Sequence, residues 1–254
     1  MKAMVLAAGL GTRLRPLTND RPKALVEVAG RTLLEITLTR LRAFGVDAAI
    51  LNVHHFAGMI AEYLRQHDNF GMHIEISDET KELLDTGGGL KKAAWFFQES
   101  GGEAEPFLLH NVDIISNIDL AAMIKSHRDR NALATLAVQD RETSRYLLFE
   151  DNFQLCGRRS GAQSAEAATE WAAGVSRQDA TPLAFSGIHV ISPRLLNQIT
   201  ETGAFSIIST YLRLAGKGES ILGFRADGAY WRDLGKPENV LQAAADFKRG
   251  VLSL

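Results

Sequence analysis

The amino-terminal segment places glycines, an arginine and a lysine directly after an apolar run. Residues 4–7 read as a buried first strand, Gly9 and Gly11 follow it, and Arg13 and Lys23 lie further along. A glycine-rich loop at the end of such a strand can bring backbone N–H groups close to phosphate oxygens. Arginine and lysine side chains add fixed positive charge there. The segment therefore predicts a binding site for a polyphosphate.

Two common phosphate-binding loops do not fit this segment. No Gly-Lys-Ser/Thr closes it as in a Walker loop, and the third glycine of the dinucleotide fingerprint is missing. Residues 52–55, Asn-Val-His-His, also offer no acidic ligand for a ribose. The sequence therefore argues against a nicotinamide-dependent oxidoreductase.

Composition and charge narrow the class of protein further. The chain has 254 residues and a formal net charge of −2, so no basic field for nucleic acid is evident. Cys156 is the only cysteine, which rules out a disulfide within the chain and does not support a thiolate zinc site. No stretch approaches the ~20 apolar residues of a membrane span. We expect a cytoplasmic protein that binds neither nucleic acid nor membranes.

Strands and helices are predicted to alternate through the first half of the chain. Apolar runs predict strands at residues 4–7, 48–53, 73–77 and 107–110. Helical patterns lie at residues 32–44, 57–67 and 90–98. Thr32 with Glu35 three residues later is typical of a capping box. This alternation predicts an α/β fold with a mostly parallel mixed sheet.

The pattern is looser in the second half. Strands are predicted at residues 133–138, 146–150, 153–156, 183–191 and 220–225, and helices at residues 205–214 and 237–248. Residues 158–179, rich in Ala, Gly, Ser and Glu, predict a surface excursion or a short helix at 165–169. Neither a linker nor a repeat is evident, so we expect one domain, 1–254, with a nucleotide-binding half (1–130) and a sugar-binding half (131–254).

The opening loop resembles the signature of the sugar-1-phosphate nucleotidyltransferases, also called nucleoside-diphosphate-sugar pyrophosphorylases. The shared pattern is Gly-x-Gly-Thr-Arg-Leu-x-Pro-Leu-Thr at residues 9–18, followed by Pro-Lys at 22–23. Four further segments occur in the family's order, so the resemblance covers nearly the whole chain. It implies a Rossmann-like three-layer α/β/α fold, the nucleotide-diphospho-sugar transferase fold, without the C-terminal β-helix that many members carry.

The resemblance also implies a nucleotide site. Arg13 would hold the β- and γ-phosphates, and Lys23 would stabilise the pentacoordinate phosphorus. The remaining expected nucleotide contacts are Ala7, Ala8, Gly9, Gly11 and Thr12 at the phosphates, and Glu79, Thr86 and Gly87 at the base.

Two aspartates are the expected metal ligands. Asp113 follows the strand at 107–110, and Asp233 lies in Trp-x-Asp-x-Gly-x-Pro-Glu at residues 231–238. The family pattern makes both of them ligands of Mg²⁺, which suits carboxylates combined with phosphate oxygens. Asp113 would thus act with Arg13 and Lys23 in catalysis. Asn111 and Gly187 are expected beside the sugar.

These parts imply transfer of a nucleotidyl group from a nucleoside triphosphate to a sugar 1-phosphate, with release of pyrophosphate. The pattern is most similar to members of bacterial cell-wall recycling, which use UTP and N-acetylmuramic acid 1-phosphate. Mannose-1-phosphate guanylyltransferases are the alternative, and a non-catalytic regulator that binds a nucleotide sugar is the alternative of another class. We expect a monomer or a small homo-oligomer.

One family feature is missing from this sequence. Many members carry Glu-Lys-Pro between the two aspartates, and its lysine grips the sugar phosphate. This chain has no such tripeptide. Arg145, Arg158 or Arg159 could replace that lysine, although arginines are more often solvated surface residues.

Overall fold

The computed structural model describes residues 1–98, 105–161, 168–174 and 180–252. The first half alternates strands and helices as predicted. Its elements are β1 (Lys2–Leu6), β2 (Glu27–Val28), β3 (Arg31–Thr32), α1 (Leu33–Ala43), β4 (Ala48–Val53), α2 (Ala57–Gln66), β5 (His73–Asp78), α3 (Asp85–Lys92), β6 (Phe107–Asn111), β7 (Ile114–Ser116) and α4 (Leu120–Asp129).

The second half is richer in strands. Its elements are β8 (Ala134–Gln139), β9 (Arg145–Phe149), β10 (Leu155–Ser160), β11 (Ala168–Trp171), β12 (Thr181–Ile191), α5 (Ile207–Ala215), β13 (Ile221–Arg225), β14 (Trp231–Asp233) and α6 (Pro237–Lys248). None of the helices in the described ranges is long and apolar enough to cross a membrane.

In the part of the chain that the structure describes, a mixed sheet of ten strands forms the centre of the fold. Strands β5, β4, β1 and β6 are parallel neighbours in that order, so their carboxyl ends lie at one edge. Strand β12 runs antiparallel to β6 and also pairs with β8 and β9. The sheet therefore contains strands from both halves of the chain and confirms the predicted α/β class.

Side chains of the central strands alternate between two hydrophobic cores. Ala3 and Val5 of β1 face one core, with residues of α1, α2, α4 and α6, whereas Met4 faces the other, with residues of α3 and α5. This period of two is what a strand buried on both faces requires. The arrangement confirms the three-layer α/β/α architecture.

The cap predicted at the start of α1 is present, although only in part. Thr32 Oγ1 accepts a hydrogen bond from the Glu35 amide at 3.0 Å. The Glu35 carboxylate does not complete a capping box, because it accepts from Arg31 Nε at 2.7 Å. Asp119 caps α4 in the same way, since its Oδ1 accepts from the Ala122 amide at 2.9 Å.

Two predicted elements differ from the structure. The helix expected at residues 90–98 begins earlier, at Asp85, because tertiary contacts hold its three glycines in a helical turn. Its α-helical part ends at Lys92, and a 3₁₀ helix follows at Ala94–Phe97. Residues 158–160 and 168–169 belong to β10 and β11, which pair antiparallel, and not to an excursion or a helix. Pairing between strands is set by partners that local composition does not reveal. Residues 162–167 and 175–179 lie outside the described residues.

Candidate functional site

The glycine loop after β1 is closed by its own side chains. The Thr18 hydroxyl donates to the Gly11 carbonyl at 2.8 Å. Gly11 has φ +63°, and a Cβ there would lie 3.0 Å from Thr18 Cγ2 and 3.3 Å from Lys23 Cβ. By contrast, nothing lies within 4 Å of a Cβ built on Gly9. The loop thus needs glycine at position 11 for its shape and leaves open space at position 9.

The two predicted metal ligands converge, although they are far apart in sequence. Asp113 follows β6, and Asp233 ends β14, which pairs antiparallel with β7. The Leu234 amide donates to the Asp113 carbonyl at 2.8 Å, so the two chain segments are joined at this point. Burial and the negative charge of Asp113 raise the pKa of Asp233. Two neighbouring carboxylates with this mutual repulsion are suited to a cation.

Lys23 and Arg13 supply the positive charge next to these carboxylates. Lys23 Nζ forms an ion pair with Asp113 Oδ2, and both side chains are only 14% exposed. The Asp233 Oδ1 atom accepts from the Gly235 amide at 2.6 Å. A Cβ on Gly235 would lie 2.9 Å from Arg13 Nη2, so the guanidinium lies against this glycine.

A cleft of about 500 Å³ opens at the carboxyl edge of the sheet beside this cluster. Gly187 lies next to it, because a Cβ at that position would approach Asn111 Nδ2 to 2.9 Å. Its φ of +74° lies within an irregular stretch of β12, between Phe185 and His189. Of the predicted contact residues, those that line the cleft are Ala8, Gly9, Lys23, Thr86, Asn111 and Asp113.

Glu79 lies beneath the cleft and not in its lining. The side chain is buried, and Oε1 accepts from Asn52 Nδ2 at 2.9 Å, whereas Oε2 accepts from the Leu84 amide at 3.1 Å. Asn52 Oδ1 in turn accepts from the Ala7 amide at 2.8 Å. The structure therefore uses Ala7 and Glu79 to join the ends of β1, β4 and β5, and the Ala7 amide already has a partner.

The glycines of α3 have a packing role that the sequence did not reveal. The Gly87 amide donates to the Phe205 carbonyl at 2.9 Å, and a Cβ on Gly87 would lie 2.3 Å from the Phe205 ring. Thr86 Oγ1 accepts from the Ile207 amide at 3.0 Å. The segment around Phe205 is thereby held against α3. Thr86 borders the cleft, and its contact with a base stays a prediction.

The three arginines considered as replacements for the family lysine do not line the cleft. Arg158 Nε donates to Glu170 at 2.7 Å, and the Arg159 guanidinium lies 5.0 Å from the Tyr146 ring centroid. Arg145 is exposed on β9. Arg141, which sequence reasoning missed, does not line the cleft either, but its guanidinium stacks on Trp231, two residues before Asp233. Its position two residues after Gln139, where the buried strand β8 ends, was the available signal.

The donor set allows a test of whether Mg²⁺ fits. Within the described residues, no three His, Cys, Asp or Glu side chains are close enough to hold a metal ion together. Asp113 and Asp233 provide two carboxylates, and Mg²⁺ is commonly held by one or two carboxylates with substrate phosphates and waters. The residues therefore fit a site that the substrate completes.

Comparison with known proteins places these features in a family. A family model described as nucleotidyl transferase matches residues 2–250. The chain is 36% identical over 251 residues to an N-acetylmuramate alpha-1-phosphate uridylyltransferase of Caulobacter vibrioides, covering 96% of this chain and 95% of that protein. It is 29% identical to a mannose-1-phosphate guanyltransferase of Yarrowia lipolytica, over 95% of this chain and 62% of that protein.

The fold is shared with solved structures. The crystal structure of HddC from Yersinia pseudotuberculosis complexed with GMP-PN aligns with a TM-score of 0.73 at 24% identity, over 97% of this chain and 99% of that one. The family match and the full-length relative confirm what the glycine loop and the two aspartates predicted: the chain belongs to the nucleotidyl transferase family.

Proposed function

We propose that this protein transfers the uridylyl group of UTP to N-acetylmuramic acid 1-phosphate and releases pyrophosphate, as part of cell-wall recycling. The observation that carries the reaction type is the convergence of Lys23, Asp113 and Asp233 beside the glycine loop. The choice of UTP and of the muramic acid sugar rests on the relative from Caulobacter vibrioides, which matches nearly end to end. The cytoplasmic location and the monomer or small homo-oligomer stay predictions.

The chain's own residues account for binding and orientation of the triphosphate. Gly9 and Thr12 are exposed in the loop, where their amides can face phosphate oxygens. Arg13 lies at the Asp233 end of the cluster and would hold the β- and γ-phosphates, which leave as pyrophosphate. Lys23 would neutralise charge on the oxygens of the α-phosphorus. Positioning and electrostatic stabilisation then account for most of the catalysis.

Asp113 and Asp233 would hold Mg²⁺. Bound there, the ion supplies Lewis-acid stabilisation of charge on the phosphate oxygens. Lys23 is paired with Asp113 in the structure, so it would exchange this carboxylate for a phosphate oxygen when substrate binds. No general base is needed, because the attacking sugar phosphate is already an anion near pH 7.

The test is pyrophosphate release with Mg²⁺ from a matrix of nucleoside triphosphates and sugar 1-phosphates. A signal confined to UTP with N-acetylmuramic acid 1-phosphate is the expected result. Activity with GTP and mannose 1-phosphate would instead show that the protein uses the substrates of the mannose-1-phosphate guanylyltransferases. If no pair of substrates releases pyrophosphate while a nucleotide sugar still binds, the protein is a non-catalytic regulator that binds a nucleotide sugar.

Variants separate the site from the rest of the fold. Asp113→Asn and Asp233→Asn should each abolish turnover without unfolding the protein. Asp151→Asn, in the exposed turn between β9 and β10, is the matched control and should leave turnover unchanged. Full activity in both site variants would contradict the proposed mechanism.

A further inference from the structure

Arg141 is held in a fixed position by two other segments of the chain. Its guanidinium carbon lies 3.5 Å from the centroid of the Trp231 ring, in a cation–π contact. Its Nη2 donates to the Phe185 carbonyl at 2.8 Å. Trp231 is itself fixed, because its Nε1 donates to the Ser186 carbonyl at 2.8 Å. The guanidinium is therefore pre-positioned before any ligand binds.

Despite this fixed position, the guanidinium keeps an unused donor. Arg141 Nε is buried without a hydrogen-bond partner, and the side chain makes no ion pair with a carboxylate of the described ranges. Burying an unpaired donor is costly, and more so for a charged group. Burial lowers the pKa of Arg141, and the negative charge of Asp233 opposes this shift. The group is thus a charged donor that lacks an anion.

Arg141 contacts two segments that lead to residues expected at the acceptor substrate, the sugar 1-phosphate. Trp231, on which it stacks, lies two residues before Asp233 on β14. Phe185, to which it donates, lies two residues before Gly187, which contacts Asn111. Arg13 and Lys23 come from the first half of the chain, whereas Arg141 comes from the second half, on which the sugar is expected.

We propose that Arg141 binds the phosphate of the sugar 1-phosphate, in place of the missing Glu-Lys-Pro lysine. This proposal rests on the proposed nucleotidyl transfer. The planar guanidinium suits a phosphate because two of its N–H groups can donate to two phosphate oxygens. A phosphate there would also supply the anion that this charged group lacks. Arg158 is already paired with Glu170, and Arg159, against the Tyr146 ring, has no hydrogen bond within the described residues that would fix its guanidinium.

The test compares Arg141→Gln with Arg158→Gln, in which an arginine that is already paired is changed. The first readout is calorimetric binding of the sugar 1-phosphate in the presence of a non-hydrolysable UTP analogue. The second is the KM for each substrate in the pyrophosphate assay. We expect Arg141→Gln to weaken sugar 1-phosphate binding about 10- to 100-fold, as for loss of charged hydrogen bonds. The KM for UTP should stay within about twofold, and Arg158→Gln should match the wild type.

Several results would overturn the proposal. Equal loss of UTP and sugar phosphate affinity in Arg141→Gln, together with a lower melting temperature, would make Arg141 a structural residue. If Arg141→Gln weakens binding of the muramic acid sugar but not of N-acetylglucosamine 1-phosphate, Arg141 binds the lactyl carboxylate and not the phosphate. Wild-type inactivity on every substrate pair would instead contradict the proposed function, so the two failures are distinguishable.

Discussion

Gly235→Ala should damage catalysis while leaving the fold intact. A Cβ at this position would lie 2.8 Å from Asp233 Oδ1 and 2.9 Å from Arg13 Nη2. The first distance is about 0.6 Å below the 3.4 Å at which ordinary van der Waals contact begins. The Asp233 carboxylate cannot yield freely, because the Gly235 amide holds it at 2.6 Å. The added methyl group therefore displaces a metal ligand and the arginine expected at the leaving phosphates.

The size of the effect follows from this displacement. Misplacing a catalytic group by about 1 Å can cost ~100-fold in rate, so a shift of about half that distance should lower kcat about 10-fold. The atoms in conflict are the ends of two side chains and not backbone, so the free energy of unfolding should change by less than about 1 kcal/mol.

The assay is pyrophosphate release at saturating UTP and sugar phosphate, over a range of Mg²⁺ concentrations, together with thermal melting. Gly228→Ala is the matched control, because nothing lies within 4 Å of a Cβ built there. It should be as active as the wild type. The reasoning is refuted if Gly235→Ala retains kcat within twofold, or if its melting temperature falls so far that the rate loss reflects unfolding.

Three further predictions concern the loop, the network beneath the cleft and the buried histidines. Gly11→Ala should destabilise the fold by roughly 1–2 kcal/mol in urea unfolding because of its φ of +63°, whereas Gly9→Ala should leave stability unchanged and raise the KM for UTP. Glu79→Gln should lower the free energy of unfolding by roughly 1–3 kcal/mol in the same experiment, because the new amide NH₂ would face an N–H donor of either Asn52 or Leu84. Wild-type stability of this variant would contradict the hydrogen-bond network beneath the cleft. Burial lowers the pKa of His110 and His127 to about 4 and that of His189 to about 3, so below pH 6.5 the unfolded chain binds more protons than the folded one. The free energy of unfolding should therefore fall from pH 6.5 towards 4, by up to roughly 1.4 kcal/mol per pH unit for each histidine. A flat profile of unfolding free energy against pH would contradict this.

Much of the architecture was readable because it depends on short-range patterns. Apolar runs predicted the parallel strands, and the last helix begins at Pro237 as its pattern indicated. Thr32 caps α1 through a contact only three residues away. Contacts between residues a few positions apart can be predicted from the sequence, because both partners lie in the same short segment. The prediction missed the start of α3, where three successive glycines oppose a helix unless other segments hold them.

The sequence by itself determined the family and which residues are available for chemistry, because the glycine loop and the two aspartates lie within recognisable motifs. Only the tertiary structure decided how they meet. Strands β7 and β14 bring Asp233 to Asp113 across more than a hundred residues of chain. The ring of Phe205 explains Gly87, and Trp231 with Phe185 positions Arg141. These contacts join distant segments through burial and hydrogen bonding, which local composition does not encode.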